Sequence, residues 1–157
     1  MRTIVLGIGN ELIGDDGAGI VTARSLHGHL GQDVDVTETA ECGIALLDHL
    51  IGYDRAILID AVFGSGNPPG TVRVLEPCDF SRIEHPSPHY AGIPELIDVA
   101  GQLGLAFPKW FRIVAIEAQD RSTIGSGISP SVLRGVREAV SRIVTMVRES
   151  SMEVANG

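Results

Sequence analysis

The spacing of apolar and polar residues changes period several times along this chain, and each change marks an element. Residues 3–6 are a β-branched and aliphatic run that reads as a buried strand. Gly7 and Gly9 end it and permit a tight turn. Over 18–30 the apolar residues Ile20, Val21, Ala23, Leu26 and Leu30 recur at helical spacing, and Gly31 stops the pattern. Asp15 and Asp16 precede it, where either can cap the helix and suits its positive end. Val34–Thr39 (VDVTET) alternates as a half-buried strand does. Residues 44–51 carry Leu46, Leu47, Leu50 and Ile51 and predict a short helix ending at Gly52.

Residues 55–62 (RAILIDAV) are almost continuously apolar, which suggests burial on both faces, as in a parallel sheet. Asp60 lies near the end of that run. Residues 64–70 (GSGNPPG) form the clearest loop. Residues 71–75 (TVRVL) alternate and predict an edge strand, antiparallel to the strand before because the connection is short. The stretch 77–88 is rich in proline and polar residues and reads as an irregular loop; His85 and His89 belong to this region. Residues 94–103 fit a helix with Pro94 in the first turn and Leu96, Ile97, Val99, Ala100 and Leu103 on its buried side. Trp110–Ala118 (WFRIVAIEA) reads as the last strand. Residues 129–147 form the longest helix, with Ser129 as cap and a core face of Val132, Leu133, Val136, Val140, Ile143, Val144 and Val147. Residues 149–157 are polar and small and read as a flexible tail.

No repeat or linker interrupts this series, so residues 1–148 read as a single domain. Alternating strands and helices predict an α/β fold: a three-layer sandwich around a mostly parallel twisted sheet of about five strands. Ligands in such sheets bind beyond the carboxyl ends of the strands. Asp15, Asp16 and Asp60 all fall at that edge.

Composition narrows the function classes. A chain of 157 residues with 44% hydrophobic residues can bury a real core. A net charge of -8 argues against non-specific binding to nucleic acid or anionic lipid. No apolar run approaches the roughly 18 residues of a membrane span. Polar residues interrupt any signal-peptide pattern near the N-terminus, and the chain reads as cytoplasmic. Cys42 and Cys78 are far apart with no CxxC, and a reducing compartment favours free thiols.

Three constellations carry chemistry. Gly7-Ile8-Gly9 after a strand is a weak match to a dinucleotide fingerprint. The third glycine position holds Leu12, and two carboxylates at the helix start would repel a pyrophosphate. Asp16, Asp60 and His89 form the second constellation. Two carboxylates and an imidazole suit a borderline divalent metal with open positions. Taken singly they have plainer readings: a helix cap, a strand-end acid satisfying loop amides and a solvated loop histidine. The third set, Asp15, Glu41, Asp79, Glu84 and His85, reads as surface or capping groups. Cys42 and Cys78 show no ligand spacing, and Trp110 and Phe111 read as core or rim. The chain contains neither a GxSxG elbow nor HExxH, so serine hydrolase and zincin chemistry have no support.

GIGNELIGDDGAG near the N-terminus, ILIDAV followed by a glycine-proline loop and PGTV, and SPHYAGIPELI together resemble the hydrogenase maturation endopeptidases. The resemblance spans about residues 1–148 in the same order and spacing. It implies a twisted sheet flanked by helices, phosphorylase/hydrolase-like. It also implies an endopeptidase, of metal-dependent or aspartic type, that removes the C-terminal extension of a nickel-iron hydrogenase large-subunit precursor. The implied metal and catalytic residues are Asp16, Asp60 and His89. The implied metal is nickel brought by the precursor, with other divalent cations able to substitute. The family's loop after its second strand carries an acid, glycines and a threonine, where this chain has Glu41-Cys42-Gly43-Ile44. Two alternatives stand beside this reading: a nickel-checkpoint module that does not cut, and a nucleotide-binding α/β protein.

Overall fold

The computed structural model describes residues 1–82 and 92–155. Strands β1 (Thr3–Ile8), β2 (Val34–Thr39), β3 (Arg55–Phe63), β4 (Val72–Leu75) and β5 (Trp110–Ala118) form one sheet in the order β2-β1-β3-β5-β4. β1 runs parallel to β2 and β3, and β3 runs parallel to β5. β4 lies antiparallel at the edge. Helices α1 (Ala18–Leu26), α2 (Leu47–Leu50), α3 (Ile93–Gln102) and α4 (Pro130–Ala155) cover the faces. This is the mostly parallel, helix-flanked sheet that the alternating pattern predicts.

Strand alternation sorts the core into two layers. Ile4, Leu6, Ile8 and Leu58 pack with Leu46, Leu50, Ile93 and Leu96, on the side of α2 and α3. Val5, Ile57, Ile59, Val114 and Ile116 pack with Ala23, Leu26, Val132, Val136 and Ile143, on the side of α1 and α4. Each fully buried leucine or isoleucine contributes about 1.5–3 kcal/mol. The central strands are apolar on both sides because both are covered.

Several local expectations are corrected. Gly7 does not end β1 but lies within it. A Cβ at Gly7 would stand 2.4 Å from the Gly19 carbonyl oxygen and 2.7 Å from Ala23 Cβ, so the glycine lets α1 settle on the sheet. The turn itself falls at Gly9, with φ of 147°. Helix α1 stops at Leu26 rather than continuing to residue 30, because His27 is already out of helical conformation and Gly28 has φ of 81°. The predicted helix over 44–51 is a 3-10 turn, Gly43–Leu46, followed by the single turn of α2. β4 does run opposite to β3, but its partner is β5, which is inserted between them. Part of the irregular loop is a 3-10 turn, Pro77–Arg82. Leu103 is 67% exposed, since α3 ends one residue before it. Helix α4 does not end at Val147 but runs on to Ala155.

One feature of this topology positions a site. From β1 the chain passes through α1, on one face, to β2. It returns from β2 through α2, on the other face, to β3. The strand order therefore reverses between β1 and β3, and at such a switch point the two connections part and open a crevice at the carboxyl edge.

Candidate functional site

Asp60 stands at that crevice. The ladder between β1 and β3 ends with Gly7 opposite Ile59, while β3 runs on to Phe63. Asp60 is thus the first residue of β3 beyond its ladder with β1, while it still pairs with Ala115 of β5, and it is fully buried. Alternation puts it on the face of Leu58 and Val62, the side of α2 and α3. Holding a carboxylate in such a place is expensive, which makes Asp60 a candidate for chemistry.

Asp16 lies in the turn that leads from β1 into α1, at the same carboxyl edge of the sheet. It sits in the 3-10 turn Gly14–Gly17 and is half-buried. Its Oδ2 accepts the Asn10 N–H at 2.9 Å, and its own N–H donates to the Ile13 carbonyl at 2.9 Å. Its carbonyl oxygen lies only 2.0 Å from where a Cβ on Gly9 would be, so only glycine fits opposite it. Gly19 then seats the start of α1: a Cβ there would be 2.3 Å from the carbonyl oxygens of both Ile8 and Ile59. These close approaches hold the loop bearing Asp16 across the ends of β1 and β3. A groove of about 410 Å³, lined by Gly9, Asn10, Glu11, Leu12, Arg24 and Thr39 among others, opens beside it.

His89, His85 and Glu84 lie outside the described residues. Among the described residues, no three or more His, Cys, Asp or Glu side chains gather as a metal centre.

Asp15 overturns its expectation as a cap or surface group. Helix α1 has Gly17 at its N-cap position and no side-chain cap. Asp15 is instead fully buried. Its Oδ1 accepts the Ser129 N–H at 2.7 Å; its Oδ2 accepts the N–H groups of Gln119 and Asp120 at 3.1 and 2.9 Å and the Ser129 hydroxyl at 3.1 Å. The expected cap of α4, Ser129, therefore spends its hydroxyl on Asp15. The signal was present in the sequence: two adjacent acids in a tight turn cannot face the same way.

Glu117 is the second buried acid that the pattern left unnoticed. It is 3% exposed near the end of β5 and accepts hydrogen bonds from the Ser65 N–H, at 3.2 Å, and the Ser65 hydroxyl. It thereby pins the loop after β3. An acid in the otherwise apolar run IVAIEA is the same kind of signal that Asp60 gives in ILIDAV.

The remaining candidates have the plain roles expected. Glu41 is exposed and pairs with His49 at 2.7 Å. Asp79 accepts the Glu76 N–H at 2.8 Å. Cys42 and Cys78 are exposed and are not joined in a disulfide. Trp110 begins β5, at the opposite end of the sheet from the crevice, with the Arg112 guanidinium 4.8 Å from its ring centre; Phe111 is core. In the groove beside β1 and β2, Arg24 bridges Glu11 and Glu38, and both bonds raise its already high pKa. A nucleotide pyrophosphate does not suit this edge, where Asp15 and Asp16 occupy the turn that would have to cradle it.

A sequence profile of hydrogenase maturation proteases matches residues 21–146. The chain belongs to the hydrogenase maturation protease family. It is 27% identical over 157 residues to the Hydrogenase 2 maturation protease of Escherichia coli K12, covering 98% of this chain and 94% of that protein. The hydrogenase maturating endopeptidase HybD of E. coli superposes with a TM-score of 0.82 at 27% identity, over 96% of this chain and 94% of that one. The NiFe hydrogenase maturation protease HybD of Thermococcus kodakarensis superposes with a TM-score of 0.73 at 26% identity, over 94% and 99%. As a hydrogenase maturation protease the chain is a hydrolase of peptide bonds. Among the described residues of this maturation protease, no helix is long and apolar enough to cross a membrane.

Proposed function

We propose that this protein removes the C-terminal extension of a nickel-iron hydrogenase large-subunit precursor in the cytoplasm, after nickel insertion, and that it recognises the nickel through Asp16, Asp60 and His89. Family membership supports the reaction class. The single observation that supports the site is that a fully buried Asp60 and the turn bearing Asp16 both follow the carboxyl ends of the β1/β3 ladder, where the strand order reverses. Two carboxylates and an imidazole are a donor set that accepts a borderline divalent ion.

The nickel belongs to the substrate and supplies a Lewis acid that polarises the scissile carbonyl or an attacking water. The chain's residues do the rest. Asp60, fixed in the sheet, receives the ion at the closed end of the crevice. Asp16, half-exposed at its mouth, completes the donor set and takes the proton of the attacking water as general base. The net charge of -8 disfavours nucleic acid as a partner.

The test is cleavage of a nickel-loaded precursor, followed by mass spectrometry. Asp16→Ala and His89→Ala are expected to keep the circular dichroism of the parent and to lose activity by at least about 100-fold. Unchanged cleavage by both variants would sink the assignment. Binding of the precursor without any cleavage by the parent protein would point instead to a nickel checkpoint.

A further inference from the structure

Asp15 and Asp16 are chain neighbours with opposite surroundings. A 3-10 turn has three residues per turn, so successive side chains diverge by about 120°. Asp15 is fully buried, whereas Asp16 is half-buried and accepts the Asn10 N–H. Both Asp15 oxygens are engaged by donors 104 to 114 residues away, in the connection from β5 to α4. The main chain repeats the link: the Asp15 N–H donates to the Asp120 carbonyl at 2.7 Å, and the Gly14 N–H to the Thr123 carbonyl at 2.8 Å. Gly14, with φ of 43°, leaves no room for a side chain, since a Cβ would lie 2.6 Å from the Asp120 oxygen. Ile13 and Ile124 pair in an isolated bridge. The turn that bears Asp16 is thus riveted to a second, distant loop, and Asp15 supplies a side chain of the turn to that rivet.

We propose that Asp15 is a positioning residue, which holds the Asp16 carboxylate in the geometry for metal recognition and proton transfer by tying its turn to the β5–α4 connection. This inference rests on the reading of Asp16 given above. Asp15 touches neither substrate nor ion; it acts through its neighbour. Residues that orient metal ligands in this way typically change affinity or activity by about 10–100-fold when altered.

The test uses the full chain, Ni²⁺ alone and a nickel-loaded precursor. Asp15→Asn keeps the side-chain shape but turns an NH₂ group toward N–H donors. The expected result is a folded protein whose Ni²⁺ affinity, by calorimetry, falls about 10–100-fold, with kcat reduced by a similar factor and KM little changed. A merely structural Asp15 would lower the melting temperature yet leave Ni²⁺ affinity and kcat per folded molecule at parent values; that result overturns the proposal. If Asp15→Asn does not fold, Ser129→Ala decides, because it removes one donor to the same carboxylate. A loss of Ni²⁺ affinity and kcat supports the role, and parent values for both overturn it. Asp16→Ala runs beside them. If it binds Ni²⁺ and cleaves as the parent does, the reading of the site itself fails. If it abolishes both while the Asp15 and Ser129 variants match the parent, only the positioning role fails.

Discussion

Three aspartates near one sheet edge have three fates, set by what surrounds each carboxylate. Asp60 is buried by the sheet, Asp15 is saturated by main-chain donors, and Asp16 stays half-exposed at the crevice. A fourth, Asp120, works locally: its Oδ1 accepts the N–H groups of Ser122 and Thr123 at 3.1 and 3.0 Å, and the bond from Thr123 foremost lowers its pKa. Asp35 is lowered too, chiefly by the Tyr53 hydroxyl and then by Arg2. A carboxylate whose pKa is depressed by folding binds fewer protons folded than unfolded. Its stabilisation is therefore present above about pH 4 and drains away as pH falls through the folded value. The expected outcome is that Asp120→Asn flattens the acid side of the stability–pH curve, measured by urea unfolding between about pH 5 and 2, and changes its slope little at neutral pH.

At the scale of elements, the candidate site depends on how closely α1 approaches the sheet, and Gly7 and Gly19 set that distance. Gly19 faces the Ile8 and Ile59 carbonyls, both held in the sheet, so neither can move aside for a methyl group. Gly19→Ala is expected to destabilise by about 1–3 kcal/mol, despite the better helix propensity of alanine, and to shift the urea midpoint down. Gly101, in α3, meets nothing within 4 Å of an added Cβ and has no left-handed backbone. Gly101→Ala is expected to raise stability by up to about 1 kcal/mol in the same assay. The pair separates close packing from propensity, since the chemical change is identical.

At the scale of the whole molecule, the sheet order decides where chemistry can occur. The reversal between β1 and β3 opens a crevice at the carboxyl edge, where Asp60 follows the end of the β1/β3 ladder and the Asp16 turn follows β1. A ligand that binds the folded state alone stabilises it by mass action, about 2.7 kcal/mol at 100 times its dissociation constant. Millimolar Ni²⁺ is therefore expected to raise the melting temperature of the parent and not that of Asp16→Ala. Equal shifts in both would place the ion elsewhere on the acidic surface.

Most of the elements were legible in the sequence, because hydrophobic period is a local property. The strand Val34–Thr39, the last strand Trp110–Ala118 and the core face of α4 need only their own residues to be recognised. An acid inside an apolar strand likewise announces itself, as Asp60 does in ILIDAV. Tertiary structure alone decided what depends on distant partners. It chose β5 as the neighbour of β4, made Gly7 a packing residue rather than a strand end, and turned Asp15 inward to donors more than a hundred residues away. Those outcomes are set by which surfaces meet once the sheet is assembled, and no window of sequence around the residue contains its partner.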